Sequence, residues 1–308
     1  MNVPTVDFEV TPLPVPPSVL GESPTWWPAH AHQRGALWWC DIPGRALHRF
    51  EPESGQHTAW PMPTEPSCLA PMHSGQVLLA MRDGLWVFDP RTGQRTALAP
   101  PPYDPAHERF NDGKADAEGR LWVGTIYEPR QPALAALYCW DGHRLTRRAE
   151  GITVSNGLAF SPDSTTLYWS DTKAHTIYAM DFRAADGHLG PRRTWHEFAP
   201  RLPQQDLQAY GGRPDGATVD SQGCYWVAMF EGAQLLRLSP EGQVLQRVPL
   251  PVRCPTMPCL GGDDLRTLYV TTSRQGRPSD ELQREPWAGQ VLQMRVPVPG
   301  LPPHFARG

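Results

Sequence analysis

The sequence predicts an all-β chain, a six-bladed β-propeller. Three observations carry that expectation. A short strand core recurs about six times, a polar residue stands at a similar offset before each copy, and the composition is rich in turn formers. The cores read LWWCD (Leu37 to Asp41), VLLAM (Val77 to Met81), LWVGT (Leu121 to Thr125), LYWSD (Leu167 to Asp171), YWVAM (Tyr225 to Met229) and LYVTT (Leu268 to Thr272). They lie roughly 40 to 57 residues apart, the period of a four-stranded blade. Each is short and rich in aromatic or β-branched residues, which suit a pleated, half-buried surface. The 36 prolines and 27 glycines fall mainly between the cores, where they punctuate turns.

Roughly 10 to 15 residues ahead of the cores stand Glu22, Ser67, Asn111, Asn156, Asp215 and Thr256, the length of one inner strand and a turn. Equivalent positions of the innermost strands of a propeller converge on its axis. Two carboxylates and two amides that are far apart in the chain are therefore expected to meet there. Such a gathering of oxygens is a metal site made by symmetry.

The remaining elements follow in order. A second strand is expected after each core, over ALHRFEP (46–52), GLWVFDP (84–90), ALYCWDG (136–142), TIYAMDF (176–182), QLLRLSPEG (234–242) and GQVLQMRV (289–296). Several end in Asp-Pro or Asp-Gly pairs, which preset turn dihedrals. Outer strands follow, as in HTAWPMP (57–63) and GQVLQRVPLP (242–251). No helix of three turns or more is expected. The repeat uses the whole chain, so residues 1–308 are read as a single domain. About 1–20 and 290–308 would hold the ring-closing strands and tails, with 7–11 and 290–296 the pairing candidates, because an open ring leaves two sheet edges. Residues 127–135 and 195–212 read as inserted loops, the kind that form lids or substrate walls.

Composition excludes several classes. The chain is 40% hydrophobic and 19% charged, with 12 tryptophans, which is a globular balance and not a disordered one. Its net charge is −4 and no basic stripe exists, so nucleic acid is not an expected partner. No stretch approaches the ~18 apolar residues of a membrane span. The opening MNVPTVDFEVTPLPVPP has neither the basic nor the apolar region of a signal peptide. The six cysteines lack paired CxxC spacing. A reduced, cytoplasmic protein is the expectation. GxSxG, HExxH, Walker and GxGxxG patterns are absent. Of the 11 histidines, His30, His32, His57 and His73 lie in turn-like stretches and read as solvated. Asp163 reads as a turn residue, Asp112 and Asp116 as supports of the loop around Asn111. Trp38, Trp122 and Trp226 read as packing between blades.

Four segments, GESPTW (21–26), RFNDGKADAEGRLWVGT (109–125), SNGLAFSPDSTTLYWSDT (155–172) and RPDGATVDSQGCYWVA (213–228), together resemble the SMP-30/gluconolactonase family, also called the regucalcin family. The resemblance runs from about Gly21 to the last blade. It implies a six-bladed propeller, a divalent ion on the axis, and lactone hydrolysis as the commonest activity. Carried over position by position, it places the metal ligands on Glu22, Asn156 and Asp215. Arg109 and Asn111 fall on substrate-contacting positions. A lid glutamate falls on Glu128, where the flanking YEPRQP departs from the common pattern. Asp215 also falls on the catalytic base.

The residue types agree with that assignment. Two carboxylates and one amide oxygen suit hard cations such as Ca²⁺, Mg²⁺ or Mn²⁺. Zn²⁺ enters through the resemblance, since the His and Cys ligands usual for it are missing. Three protein ligands leave room for water and substrate. A dication so held would polarise an ester carbonyl and acidify water, and Asp215 would take the proton. The expected partner is a small sugar lactone, with the chain a monomer or weak homo-oligomer. The competing readings are a non-catalytic calcium- or ligand-binding propeller and a hydrolase of other esters. Asn111, Asn156 and Asp215 taken singly also fit plain turn residues, because Asn-Gly and Asp-Gly are common turn pairs.

Overall fold

The computed structural model describes residues 3–30 and 33–307, and the chain folds as six antiparallel sheets arranged as a propeller. The innermost strands are Gly21–Trp27, Pro66–Pro71, Glu108–Ala115, Ser155–Phe160, Arg213–Val219 and Pro255–Gly261, which define blades 1 to 6. Each pairs with the strand that carries a recurrent core, from Ala36–Asp41 in blade 1 to Thr267–Thr272 in blade 6. Blade 4 has five strands, the others four.

Burial falls off outward within a blade. Ser155–Phe160 is buried at every position, whereas the outermost Gln94–Ala99 is exposed over its first four residues. An inner strand has a neighbouring blade on both faces, so polar and apolar residues alike are buried there, Asn156 as well as Leu158. Trp38, Trp122 and Trp226 lie at the seams. Trp122 packs with Leu158, Phe160 and Trp169 of the next blade, and Trp226 with Leu260 and Leu268.

Blade 6 is completed from the other end of the chain. Thr11–Pro12 pairs antiparallel with Leu292–Arg295, Thr11 opposite Gln293, as the outermost strand of that sheet. The C-terminal tail then crosses the far end of the central channel. Gly300 donates its N–H to Leu265, Ala306 to Pro71 and Arg307 to Gly119, tying blade 6 to blades 2 and 3.

Two expectations need correction. Trp195–Glu197 is not loop. It belongs to the outer strand Arg193–Glu197 of blade 4, and the insertion begins at Phe198 and contains one 3-10 turn, Leu207–Ala209. His57 lies in the strand Gln56–Pro61, with its ring against His48 and Trp39, because alternation in that strand points it back at the sheet. His73 is exposed but stacks on Phe305. His30 is exposed, and His32 lies outside the described residues. All six cysteines are buried free thiols. The only described α-helix is Ser279–Arg284. No helix among the described residues is long and apolar enough to cross a membrane.

Candidate active site

Every inner strand breaks its register at its polar residue. The irregularities fall between Glu22 and Thr25, Pro66 and Cys68, Phe110 and Gly113, Asn156 and Ala159, Pro214 and Ala217, and Pro255 and Met257. A bulge bends the strand and re-aims a side chain, here six times at equivalent places. In blade 4 the bulge needs glycine. Gly157 sits at φ 60°, and a Cβ there would come within 2.3 Å of Ser170 Oγ and the Tyr225 hydroxyl.

Four of the six bulge residues reach one cavity of about 460 Å³: Glu22, Asn111, Asn156 and Asp215. Arg109 and Glu128 line it too, so all six site residues expected from the sequence come together. Ser67 and Thr256 do not line it. Thr256 donates to the Gly21 carbonyl at 2.6 Å, and the Ser67 hydroxyl is buried without a partner.

A chain of hydrogen bonds fixes the amides. Arg109 donates to Asn111 Oδ1 at 2.7 Å. Asn111 Nδ2 donates to Asn156 Oδ1 at 2.9 Å and to the Ser155 carbonyl at 2.8 Å. Asn156 Nδ2 donates to Thr172 Oγ1 at 2.7 Å. The Asn156 carbonyl oxygen is thereby turned away from Thr172 and keeps a free lone pair. Asn111 spends both its N–H donors inside this chain. It therefore positions Arg109 and Asn156, and only its carbonyl oxygen has capacity left for a substrate.

The carboxylates are treated differently. Glu22 is 7% exposed and Asp215 5%, and among the described residues neither is in a salt bridge. Two of the nearby cations are engaged elsewhere. Arg213 pairs with Glu231 at 3.1 Å, and Arg109 lies 3.6 Å from Glu128. Burial, reinforced by Asp215 and Asp112, pushes the Glu22 carboxyl well above the usual range. Burial likewise pushes Asp215 up to about 8, against the pull of Arg213. Two buried carboxylates without a counter-charge are expensive unless a cation joins them. That is the test of fit for a divalent ion, and Glu22, Asp215 and the Asn156 oxygen pass it as an all-oxygen donor set. Among the described residues no three His, Cys, Asp or Glu side chains form a metal cluster. The axial set has only two acids and takes its third donor from an amide.

Asp112 and Asp116 support structure, each in its own way. Asp112 Oδ2 accepts from the Leu158 N–H at 2.8 Å, linking blades 3 and 4, while Asp116 closes its own turn and holds Arg120. Asp163 caps an exposed turn through Thr165. Glu128 is committed more than the sequence suggests. Both its oxygens accept from Arg82, at 3.0 and 2.8 Å, which holds its carboxyl below the ordinary range. Arg82, Arg130, Thr172 and Arg213 escaped the sequence reading, because none of them occupies the repeated offset.

The family model for the SMP-30/gluconolactonase/LRE-like region matches residues 20–274. The chain belongs to this family. A 6-deoxy-6-sulfogluconolactonase of Pseudomonas putida is 43% identical over 285 residues, covering 92% of this chain and 94% of that protein. A regucalcin of Gallus gallus is 33% identical, covering 92% and 94%. Among solved structures, a calcium-binding regucalcin of Agrobacterium tumefaciens superposes with a TM-score of 0.90 at 28% identity, over the whole of both chains. Members of the SMP-30/gluconolactonase family thus share both the propeller and nearly the full length of this chain.

Proposed function

We propose that this protein hydrolyses a sugar lactone, with Asp215 as general base. The observation that carries the reading is the pair of buried, unpaired carboxylates, Glu22 and Asp215, facing one cavity with the Arg109–Asn111–Asn156 chain. A divalent ion held by Glu22, Asn156 and Asp215 would polarise the lactone carbonyl and acidify a water molecule. Its identity among Ca²⁺, Mg²⁺, Mn²⁺ and Zn²⁺ is open to assay.

The chain's own residues do the rest. Asp215 takes the proton of the attacking water. The water oxygen bonds to the carbonyl carbon, the ring C–O bond breaks, and the ring oxygen leaves as a hydroxyl carrying the proton that Asp215 gives back. Arg109 is pinned on one side by Asn111 and by the Phe110 carbonyl, so its remaining donors meet the ring oxygen or hydroxyls in a fixed pose. The floor of the site, Glu22, Asn156 and Asp215, is buried, which strengthens the contacts made there. The Pseudomonas putida relative makes a sulfonated gluconolactone a substrate to test beside the parent sugar lactone.

The regucalcin relatives support a second reading, calcium binding without turnover. A lactone panel read by acid release decides between them. The lactonase reading predicts hydrolysis that EDTA abolishes and added divalent ion restores, and an Arg109→Ala variant with a raised KM. Undiminished hydrolysis in a verified metal-free preparation overturns the metal assignment. Stoichiometric calcium binding with no hydrolysis across the panel favours the second reading.

A further inference from the structure

We propose that the cavity accepts a lactone bearing an oxyanion substituent, a sulfonate or phosphate remote from the lactone carbonyl, and that Arg130 receives that group. The inference rests on the lactonase reading for the reaction, and on charge placement for the substituent.

Six charged side chains line the cavity: Glu22, Glu128 and Asp215 against Arg109, Arg130 and Arg213. Glu128 is taken by Arg82 and Arg109, and Arg213 by Glu231. A divalent ion would neutralise Glu22 and Asp215. Arg130 is then the cavity cation left over, in no salt bridge among the described residues.

Its side chain is exposed, yet its backbone is held in place. The Arg130 N–H donates to the Tyr127 carbonyl at 2.8 Å, and its own carbonyl accepts from the Lys173 ammonium. The residue has φ 60°, a conformation uncommon outside glycine. Arg213 does not compete for the role, since its guanidinium lies 5.2 Å over the Phe230 ring and pairs with Glu231 at 3.1 Å.

A guanidinium offers paired donors that match the oxygens of a sulfonate or phosphate. A neutral aldonolactone has no group that needs a second cation, because Arg109 and Asn111 already face the polyol. The segment that carries Arg130 is also the one that departs from the family pattern, YEPRQP.

The test compares gluconolactone with its 6-sulfonate and 6-phosphate analogues, on the metal-loaded protein and on Arg130→Gln and Arg130→Lys. In parallel, calorimetry measures binding of the corresponding ring-opened acids, which share a carboxylate and differ only at the tail. The native protein is expected to favour an anionic lactone over the neutral one in kcat/KM. Arg130→Gln should reduce that ratio roughly tenfold, the scale of one charge-assisted contact, with Arg130→Lys recovering part of it. The stronger of the two anionic arms identifies sulfonate or phosphate. A ratio unmoved in a folded Arg130→Gln variant, or no preference in the native protein, overturns the proposal. If no lactone is turned over, the lactonase reading fails, while the calorimetric difference between tailed and untailed acids still decides this one.

Discussion

Two sets of buried acids occupy this propeller, and they are handled in opposite ways. Asp116 and Asp220 lie in the turns that leave the inner strands of blades 3 and 5, both fully buried. Each accepts four hydrogen bonds in the same pattern. Asp116 takes the Glu118 and Arg120 N–H groups, Arg120 Nε at 2.7 Å and Trp122 Nε1 at 2.8 Å. Asp220 takes the Gln222 and Cys224 N–H groups, Arg237 Nε at 2.8 Å and Trp226 Nε1 at 2.9 Å. On the inner strands of blades 1 and 5, Glu22 and Asp215 are also buried but have no cationic partner. Burial alone therefore does not mark function. The mark is burial without compensation, which a folded chain tolerates where a ligand supplies the missing charge.

The sharpest way to break the comparison is to neutralise one acid from each set. Asp215→Asn keeps an oxygen for the ion and removes the proton acceptor. A general base contributes ~10²- to 10⁴-fold, so kcat at saturating metal should fall by about that factor while metal binding survives. Removing an uncompensated charge should leave thermal stability equal or higher in the metal-free protein. A near-native kcat with metal bound would make Asp215 a ligand alone and pass the base role to Glu22.

Asp220→Asn should behave in reverse. The Asn amide cannot match both Arg237 and Trp226, and it leaves the Arg237 guanidinium, only 10% exposed, without its counter-charge. Breaking such a pair costs about 3–5 kcal/mol, so the denaturation midpoint should drop clearly. Metal affinity and KM should stay near native, because the residue lies outside the cavity. A variant with native stability and lost activity would refute the division into two sets.

The two sets also differ in how far the sequence discloses them. The axial four were legible because a closed ring turns a repeat offset into a meeting point, so Glu22 and Asp215 could be paired across nearly 200 residues. The turn acids sit in parallel segments, DAEGRLW and DSQGCYW, but nothing in those letters says that Arg120 will close onto Asp116 within its own turn while Arg237 reaches Asp220 from the strand Gln234–Leu238. The bulges were not legible either. Glu22 stands farther ahead of its core than the other axial residues because the blade 1 hairpin is long, and only register shows that the bulge absorbs nothing of that length. Arg130 and Arg213 were missed because loop residues and strand starts follow no period. Trp195–Glu197 was misread as loop because Pro200 and Pro203, just after it, hide the end of a strand that pairs with Thr176–Arg183.

Metal binding tests the axial set as a whole. An ion that binds only the folded chain stabilises it by mass action, about 2.7 kcal/mol at a hundredfold excess over Kd. The melting temperature should therefore rise with added divalent ion in the native protein and in Asp220→Asn. In a Glu22→Gln, Asp215→Asn double variant the rise should shrink or vanish. An equal rise in the double variant would place the ion elsewhere.

The smallest expected effect belongs to a group between the two sets. His48 is 8% exposed, its Nδ1 lies 3.0 Å from His57 Nε2, and its own Nε2 is buried without a partner. It is thus half compensated. Burial, with His57 adding to it, pulls its pKa down to about 4. The folded value lies below the unfolded value of about 6.5, so the folded chain resists charging this ring. The stability it contributes is fully present above pH 6.5 and is lost as pH falls from there towards 4. Full displacement over that interval corresponds to about 3 kcal/mol, and partial access of water to the ring reduces the expectation to roughly 1–2 kcal/mol. Thermal melts of the native protein should soften between pH 6.5 and 4.5, and His48→Gln, which keeps an amide near His57 but cannot titrate, should flatten that limb. A native-like acid limb in His48→Gln would move the cause of the softening away from this ring.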